Sequence, residues 1–225
     1  MRSMAFLTFR GGIHPNDGKD LSKNCPVEKY LPKGDLAILV SQHIGAPAKP
    51  IVKKGDHVLA GQKIAEAGGF VSAPIHSSVS GTVKGIEKRL TAVGAMGDAI
   101  IIENDGLYES VEYTPATLSD LSREDILKRI QEGGVVGQGG AGFPTCVKLK
   151  PAKPVDTILL NGCECEPYLT ADHKVLLEFA DDIIFGLKAI LKTTGAEKGI
   201  IVIEDNKQDA IELMQKKVAD IENME

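Results

Sequence analysis

From Asp35 onward the chain runs in short apolar stretches broken by glycine and proline: Leu36–Val40, Ile51–Val52, Val58–Leu59, Ile64–Ala65, Val79, Thr82–Ile86 and Ala99–Ile102. Segments this short, bounded by turn residues, predict the strands of a small all-β domain over residues 35–112. Lys54-Gly55-Asp56 and Ala60-Gly61-Gln62 supply turn chemistry between them. Residues 1–34 show no periodicity and are rich in Gly, Pro, Asn and Lys, which predicts an irregular N-terminal arm. Beyond a Thr/Pro/Ser-bearing linker at 113–119 the period changes. Ser122 followed by Arg-Glu-Asp125 reads as a helix N-cap with acidic residues in the first turn. Ile126, Leu127 and Ile130 make the apolar stripe of that helix, and Gly133-Gly134 ends it. Strands are expected at Val155–Leu160 and Gly199–Ile203, with helical sequence from Ala171 to Lys192. A last amphipathic helix aligns Ile211, Met214, Val218 and Ile221 on one face.

Strands alternating with helices predict an α/β domain with parallel strands over residues 113–225, and hence an α+β chain of two domains. Two parallel strands do not make a sheet covered on both faces. The last helix runs close to Glu225 without leading into another strand. Together these predict a truncated α/β domain, the front portion of a longer protein.

Composition narrows the function classes. With 43% hydrophobic, 25% charged and 4% aromatic residues the chain is of ordinary globular type. No window reaches 18 uninterrupted apolar residues, and Met1–Leu7 lacks the apolar stretch of a secretory signal. The net charge of −5 is carried by the second half: Lys and Arg number 13 in each half, Asp and Glu 12 in residues 1–112 and 19 in residues 113–225. Without a basic stripe or any tryptophan, nucleic-acid binding has no footprint. Cys25, Cys146, Cys163 and Cys165 form no CxxC and are too sparse for a disulfide framework. Three of them lack a fourth ligand for a tetrahedral metal, so they read as unligated thiols.

The β region resembles a biotinyl/lipoyl-type barrel-sandwich domain in Val52-Lys-Lys-Gly-Asp-His-Val58, Gly61-Gln-Lys-Ile64 and Ser80-Gly-Thr-Val83. Carriers of that family present a lysine at a hairpin tip, whereas no lysine lies between Lys63 and Lys84 here and the expected tip reads Ser72-Ala-Pro-Ile-His76. The resemblance therefore implies a structural module without carrier chemistry.

Two stretches carry the chemistry. Gly137-Gln-Gly-Gly-Ala-Gly-Phe-Pro-Thr145 packs four glycines into six residues ahead of Lys148. Glycines let backbone approach a ligand closely and let several N–H groups address one anion, with Lys148 as a mobile positive charge. The spacing is neither GxxxxGK[ST] nor GxGxxG after a strand. Asn161-Gly-Cys-Glu-Cys-Glu-Pro167 follows a strand, at the sheet end where open α/β folds bind ligands. Asn161 offers both donor and acceptor to the mixed edge of a ring. Glu164 and Glu166 lack the nucleophile or metal motif of a hydrolytic pair, so no catalytic acid–base residue is assigned.

These stretches resemble the flavin- and NADH-binding subunit of respiratory complex I, whose family carries a Gly-Arg-Gly-Gly-Ala-Gly-Phe-Pro-Thr loop and an Asn-x-Asp-Glu-x-Glu-Pro loop. The closer resemblance is to the C subunit of Rnf ion-translocating electron-transport complexes. It rests on Gly11–Pro15, Gln42–Pro47, Ser80–Val83 and Asn161–Pro167 in the same order.

The resemblance implies an NADH-oxidising flavoprotein subunit that passes electrons from FMN to iron–sulfur clusters. It would sit peripherally on the cytoplasmic face of the bacterial cell membrane, with membrane subunits of the same complex as partners. Gly137, Gly139, Gly140, Ala141, Gly142 and Lys148 would hold the FMN phosphate and ribityl chain. Asn161, Cys163 and Glu164 would line the isoalloxazine, while Phe143 and Glu166 would address NADH. Two [4Fe-4S] clusters are expected only in a C-terminal part this chain lacks, and the chain alone is expected to be inactive. Gln138 and Cys163 stand where complex I has Arg and Asp, removing a cation and an acceptor beside the flavin. A cobalamin-reductase-like flavoprotein and a non-catalytic assembly module are the alternatives.

Overall fold

A computed structural model describes residues 15–225. Gly11–His14 of the Gly11–Pro15 motif therefore lie outside the described residues. The chain divides into two compact units: residues 29–158 with 186–198, and the residues up to Glu28 with 159–185 and 199–225.

The first unit contains the barrel-sandwich domain expected from the sequence. Its strands are β1 (Leu36–Leu39), β2 (Lys49–Pro50), β3 (His57–Val58), β4 (Lys63–Glu66), β5 (Ile75–His76), β6 (Gly81–Leu90) and β7 (Met96–Asn104). They form a four-stranded sheet, β1-β7-β6-β3, and a three-stranded sheet, β2-β4-β5, all antiparallel. β7 lies between β1 and β6, and its segment Ala99–Ile102 is wholly buried. That explains an uninterrupted apolar run where alternation is the usual antiparallel signature. Ile38, Val58, Ile64, Val79, Val83, Ile100 and Ile102 meet in one core. Val79 is a core residue but not a strand. The strand nearest to it in sequence on its N-terminal side, β5, has only two residues, too short to show a period.

Beyond the barrel, α1 (Arg123–Glu132) opens on a capping box. Ser122 Oγ accepts from the Asp125 N–H at 3.1 Å, and Asp125 Oδ2 accepts from the Ser122 N–H at 3.0 Å. Hydrogen bonds from Ser122 hold the Asp125 carboxyl below its ordinary range. Gly133 caps the C-terminus and Gly134 follows at φ +63°. A single helical turn, α2 (Thr145–Lys148), comes after the glycine loop.

The remaining elements are β8 (Thr157–Gly162), α3 (Ala171–Glu178), α4 (Ala180–Thr194), β9 (Lys198–Ile203) and α5 (Gln208–Val218). β8 and β9 pair as parallel strands joined through the helices. The helical sequence expected from Ala171 to Lys192 forms two helices that part at Phe179, whose φ of −126° and ψ of 30° leave the helical region. Neither Gly nor Pro marks that break. α5 buries Ala210, Met214 and Val218. The chain end does continue the sheet: Gly199 N donates to Asn223 O at 2.9 Å and Ile201 N to Glu225 O at 2.7 Å, with Met224 buried. Among the described residues no helix is long and apolar enough to cross a membrane.

Candidate functional site

The glycine loop belongs to the first unit and the Asn161 loop to the second, and each has its own geometry.

The glycine loop is an excursion with a closed neck. Val136 and Pro144 form an antiparallel bridge, with Gly137 N donating to Phe143 O and Thr145 N to Val135 O, both at 2.9 Å. Between them, none of the N–H groups from Gln138 to Phe143 has an acceptor among the described residues. Backbone donors are normally paired, so a run this long is a ready anion receptor. The Lys148 ammonium lies over this backbone, since a Cβ on Gly137 would come within 2.7 Å of Lys148 Nζ. Gly142, at φ +63°, passes so close to barrel backbone that a Cβ would meet Gln42 O at 3.0 Å and His43 Cα at 3.1 Å. Ile44 N donates to Ala141 O at 2.9 Å and ties the loop to the barrel there. A Cβ on Gly139 or Gly140 would meet nothing within 4 Å. Packing therefore does not demand glycine at these two positions, although the φ of +154° at Gly140 favours it.

A cavity of about 320 Å³ lies between this loop and barrel residues Gln42, His43 and Ala73–His76. The segment expected as a hairpin tip is thus a wall of the loop's cavity. His43 is buried, with Nδ1 3.1 Å from Ile44 O and Nε2 facing the Ala73 carbonyl at 3.0 Å and its N–H at 3.1 Å. Burial pushes the His76 imidazole below its ordinary value. Phe143 is half-buried and Cys146 buried.

The Asn161 loop leaves β8 through a turn in which Asn161 Oδ1 accepts from the Cys163 N–H at 3.0 Å. Gly162 is required by packing: a Cβ would lie 3.0 Å from Val202 O and 3.3 Å from Leu176 Cδ1. Asn161, Cys163, Cys165 and Glu166 are exposed, but Glu164 is only 3% exposed. Its Oε1 accepts from the Asp172 N–H at 2.8 Å. Its Oε2 has no hydrogen-bond partner and lies 3.6 Å from Lys19 Nζ and 3.5 Å from Lys207 Nζ. Lys207, 2% exposed, also meets Glu204 Oε2 at 2.9 Å, so Glu204 is tied down rather than open. Burial, then the Glu164 charge, raises the Asp172 carboxyl. On α3, the buried His173 places Nε2 2.9 Å from Asp209 Oδ1.

Pattern reading missed Lys19 and Lys207, since a lone lysine in irregular sequence carries no signal. It also missed Gln42, His43 and His76 beside the glycine loop. No group of three or more His, Cys, Asp or Glu among the described residues is placed to hold a metal ion.

Comparison with known proteins divides the chain by sequence and places both loops in one matched region. Residues 7–107 match the family described as the RnfC barrel sandwich hybrid domain, and residues 130–225 match the Nuo51 FMN-binding domain. The chain is 46% identical, over 97% of its length, to the C subunit of the Na(+)-translocating ferredoxin:NAD(+) oxidoreductase complex of Acetobacterium woodii, covering 50% of it. It is 46% identical, over 93% of its length, to the C subunit of the proton-translocating ferredoxin:NAD(+) oxidoreductase complex of Clostridium ljungdahlii, covering 47% of it. The C subunit of a Haemophilus influenzae ion-translocating oxidoreductase complex is 38% identical over 90% of the chain, which covers 32% of it. The chain thus spans about half, or less, of the length of these relatives.

Proposed function

We propose, from the match of residues 7–107 to the RnfC barrel sandwich hybrid domain and of residues 130–225 to the Nuo51 FMN-binding domain, that this chain binds FMN and serves electron transfer between flavin and NAD(H). The observation that carries the reading is the unbroken run of open N–H groups from Gln138 to Phe143 with the Lys148 ammonium beside it. Such a run suits a phosphate monoester, and the open space over Gly139 and Gly140 admits one at van der Waals distance.

Bound FMN would supply the step between two-electron hydride chemistry and one-electron transfer. The chain's own residues would bind and orient it. Gly139, Gly140, Ala141 and Gly142 take the phosphate and ribityl region through backbone N–H groups, Gly137 closes the neck beside them with its N–H on Phe143 O, and Lys148 neutralises charge. Asn161 and Cys163, exposed at the end of β8, offer an amide and a thiol to the ring edge. Glu164 supports them from beneath through the buried ion cluster. Phe143 and Glu166 address the dinucleotide, one by stacking and the other by hydrogen bonding.

Two of the relatives described above are named for ferredoxin:NAD(+) oxidoreductase complexes. By extension, this chain works with the same substrate pair, next to iron–sulfur clusters, as a peripheral subunit on the cytoplasmic face of an ion-pumping membrane complex. Titrating the 225-residue chain into FMN should quench flavin fluorescence, and Gly140→Asp should abolish the quenching by setting a carboxylate against the phosphate. Wild-type protein that leaves the fluorescence unchanged at high micromolar flavin overturns the reading.

A further inference from the structure

The Lys19 side chain crosses 145 residues of sequence to end inside the Asn161 loop. Its ammonium donates to Glu164 O at 2.8 Å, Glu166 O at 3.0 Å and Leu169 O at 2.7 Å. All three donors of the ammonium are thereby used. The Glu164 carboxylate, 3.6 Å away, balances the charge, and Lys19 is 9% exposed. Three carbonyls and a carboxylate thus surround one ammonium.

The flanking chain reinforces the contact. Tyr168 N donates to Asp17 O at 2.6 Å, Ser22 Oγ to Tyr168 O at 3.1 Å, and Thr170 Oγ1 to Ser22 Oγ at 2.9 Å. Gly18, at φ +61°, lies flat against the Tyr168 ring with no room for a Cβ. A buried ammonium is tolerated only with such partners, so loop and lysine order each other.

We propose that Lys19 is a positioning residue for the Asn161 loop. Drawing the carbonyls of residues 164, 166 and 169 inward fixes which side chains face out, namely Cys163, Cys165 and Glu166. The segment 16–22, in which Lys19–Leu21 form a 3-10 turn, is then a strap that sets the shape of the ligand-facing loop. Its effect on flavin rests on the function proposed above, while its effect on the loop does not.

Lys19→Ala and Lys19→Met separate the two. Amide hydrogen exchange at residues 163–169 should accelerate by at least about tenfold in both variants. Exchange in β9 and α5 should hardly change. FMN affinity should fall by about tenfold, and the visible circular dichroism of bound flavin should change. In Lys19→Ala, added n-propylammonium, the three-carbon ammonium the truncation removes, should restore slow exchange and affinity, because it returns the cation to its carbonyls. Lys23→Ala, which loses only a surface ion pair with Asp20, should match wild type in each readout. Unaltered exchange at 163–169, or loss of protection across the whole unit without rescue by the amine, overturns the proposal. If wild type binds no FMN, the proposed function falls, and exchange with amine rescue alone decides the role of Lys19.

Discussion

From Gln138 to Phe143 the backbone N–H groups are open and no side chain fills the loop, whereas between Asn161 and Thr170 three carbonyls are already occupied by a buried ammonium. The first loop has the open donors that the proposed phosphate receptor needs, and its positive charge, Lys148, stands at its edge. The second is shaped around something inside the protein, the Lys19–Glu164–Lys207 cluster. An anion receptor needs unpaired donors held by a rigid neck. A loop that displays side chains needs its backbone satisfied from behind. Glycine serves both, for different reasons: Gly162 and Gly142 because the protein leaves no space, Gly140 because of its φ of +154°, and Gly139 although space is left.

The contrast can be broken most forcefully at Glu164. Glu164→Ala leaves two buried ammonium groups without their shared carboxylate, and should cost about 3–5 kcal/mol in denaturant unfolding. A loss below about 1 kcal/mol would mean that the cluster is solvated, and the two loops would no longer be opposites. Next is Gly142→Ala, which forces a Cβ against Gln42 O and His43 Cα at positive φ. It should destabilise the protein by roughly 1–3 kcal/mol, read as a lower thermal midpoint. Gly139→Ala sharpens the comparison from the other side. Its Cβ enters open space, so stability should stay within about 0.5 kcal/mol while FMN affinity falls about tenfold in the same titration.

The smallest effect is electrostatic. The hydrogen bond from Lys63, 2.6 Å from Glu132 Oε2, holds that carboxyl below its ordinary 4.5. A depressed folded-state value gives stability that is present above the ordinary value and lost as pH falls through the folded one. Lys63→Met should therefore remove less than about 1 kcal/mol at neutral pH and flatten the acid limb of the stability curve. Unfolding midpoints from neutral pH down through the carboxylate range measure this directly.

Much of the architecture was legible. Gly and Pro punctuation marked the barrel between Leu36 and Asn104, and Ser122 with Asp125 announced the cap of α1 as it forms. The break at Phe179 was not legible, because no residue there opposes a helix. Nor was the pairing of the chain end with β9, which involves only residues 223–225. For the loops, residue type revealed the backbone-driven one and concealed the side-chain-driven one. Four glycines in six residues announce a cradle, but Lys19 looks like any surface lysine until the fold delivers its ammonium to three distant carbonyls. Glu164 reads as a ligand-facing acid in sequence, yet its carboxylate is turned inward. The role of Ala73–His76 was hidden for the same reason, since a cavity wall is made by the partner it faces.

The central claim, that the glycine loop is a phosphate receptor, is tested most directly by titrating the chain with FMN and with riboflavin by calorimetry. The two ligands differ only in the phosphate. Hydrogen bonds to a charged group contribute about 1.5–3 kcal/mol each, so FMN should bind at least about tenfold more tightly than riboflavin. Equal affinity for the two would contradict the account.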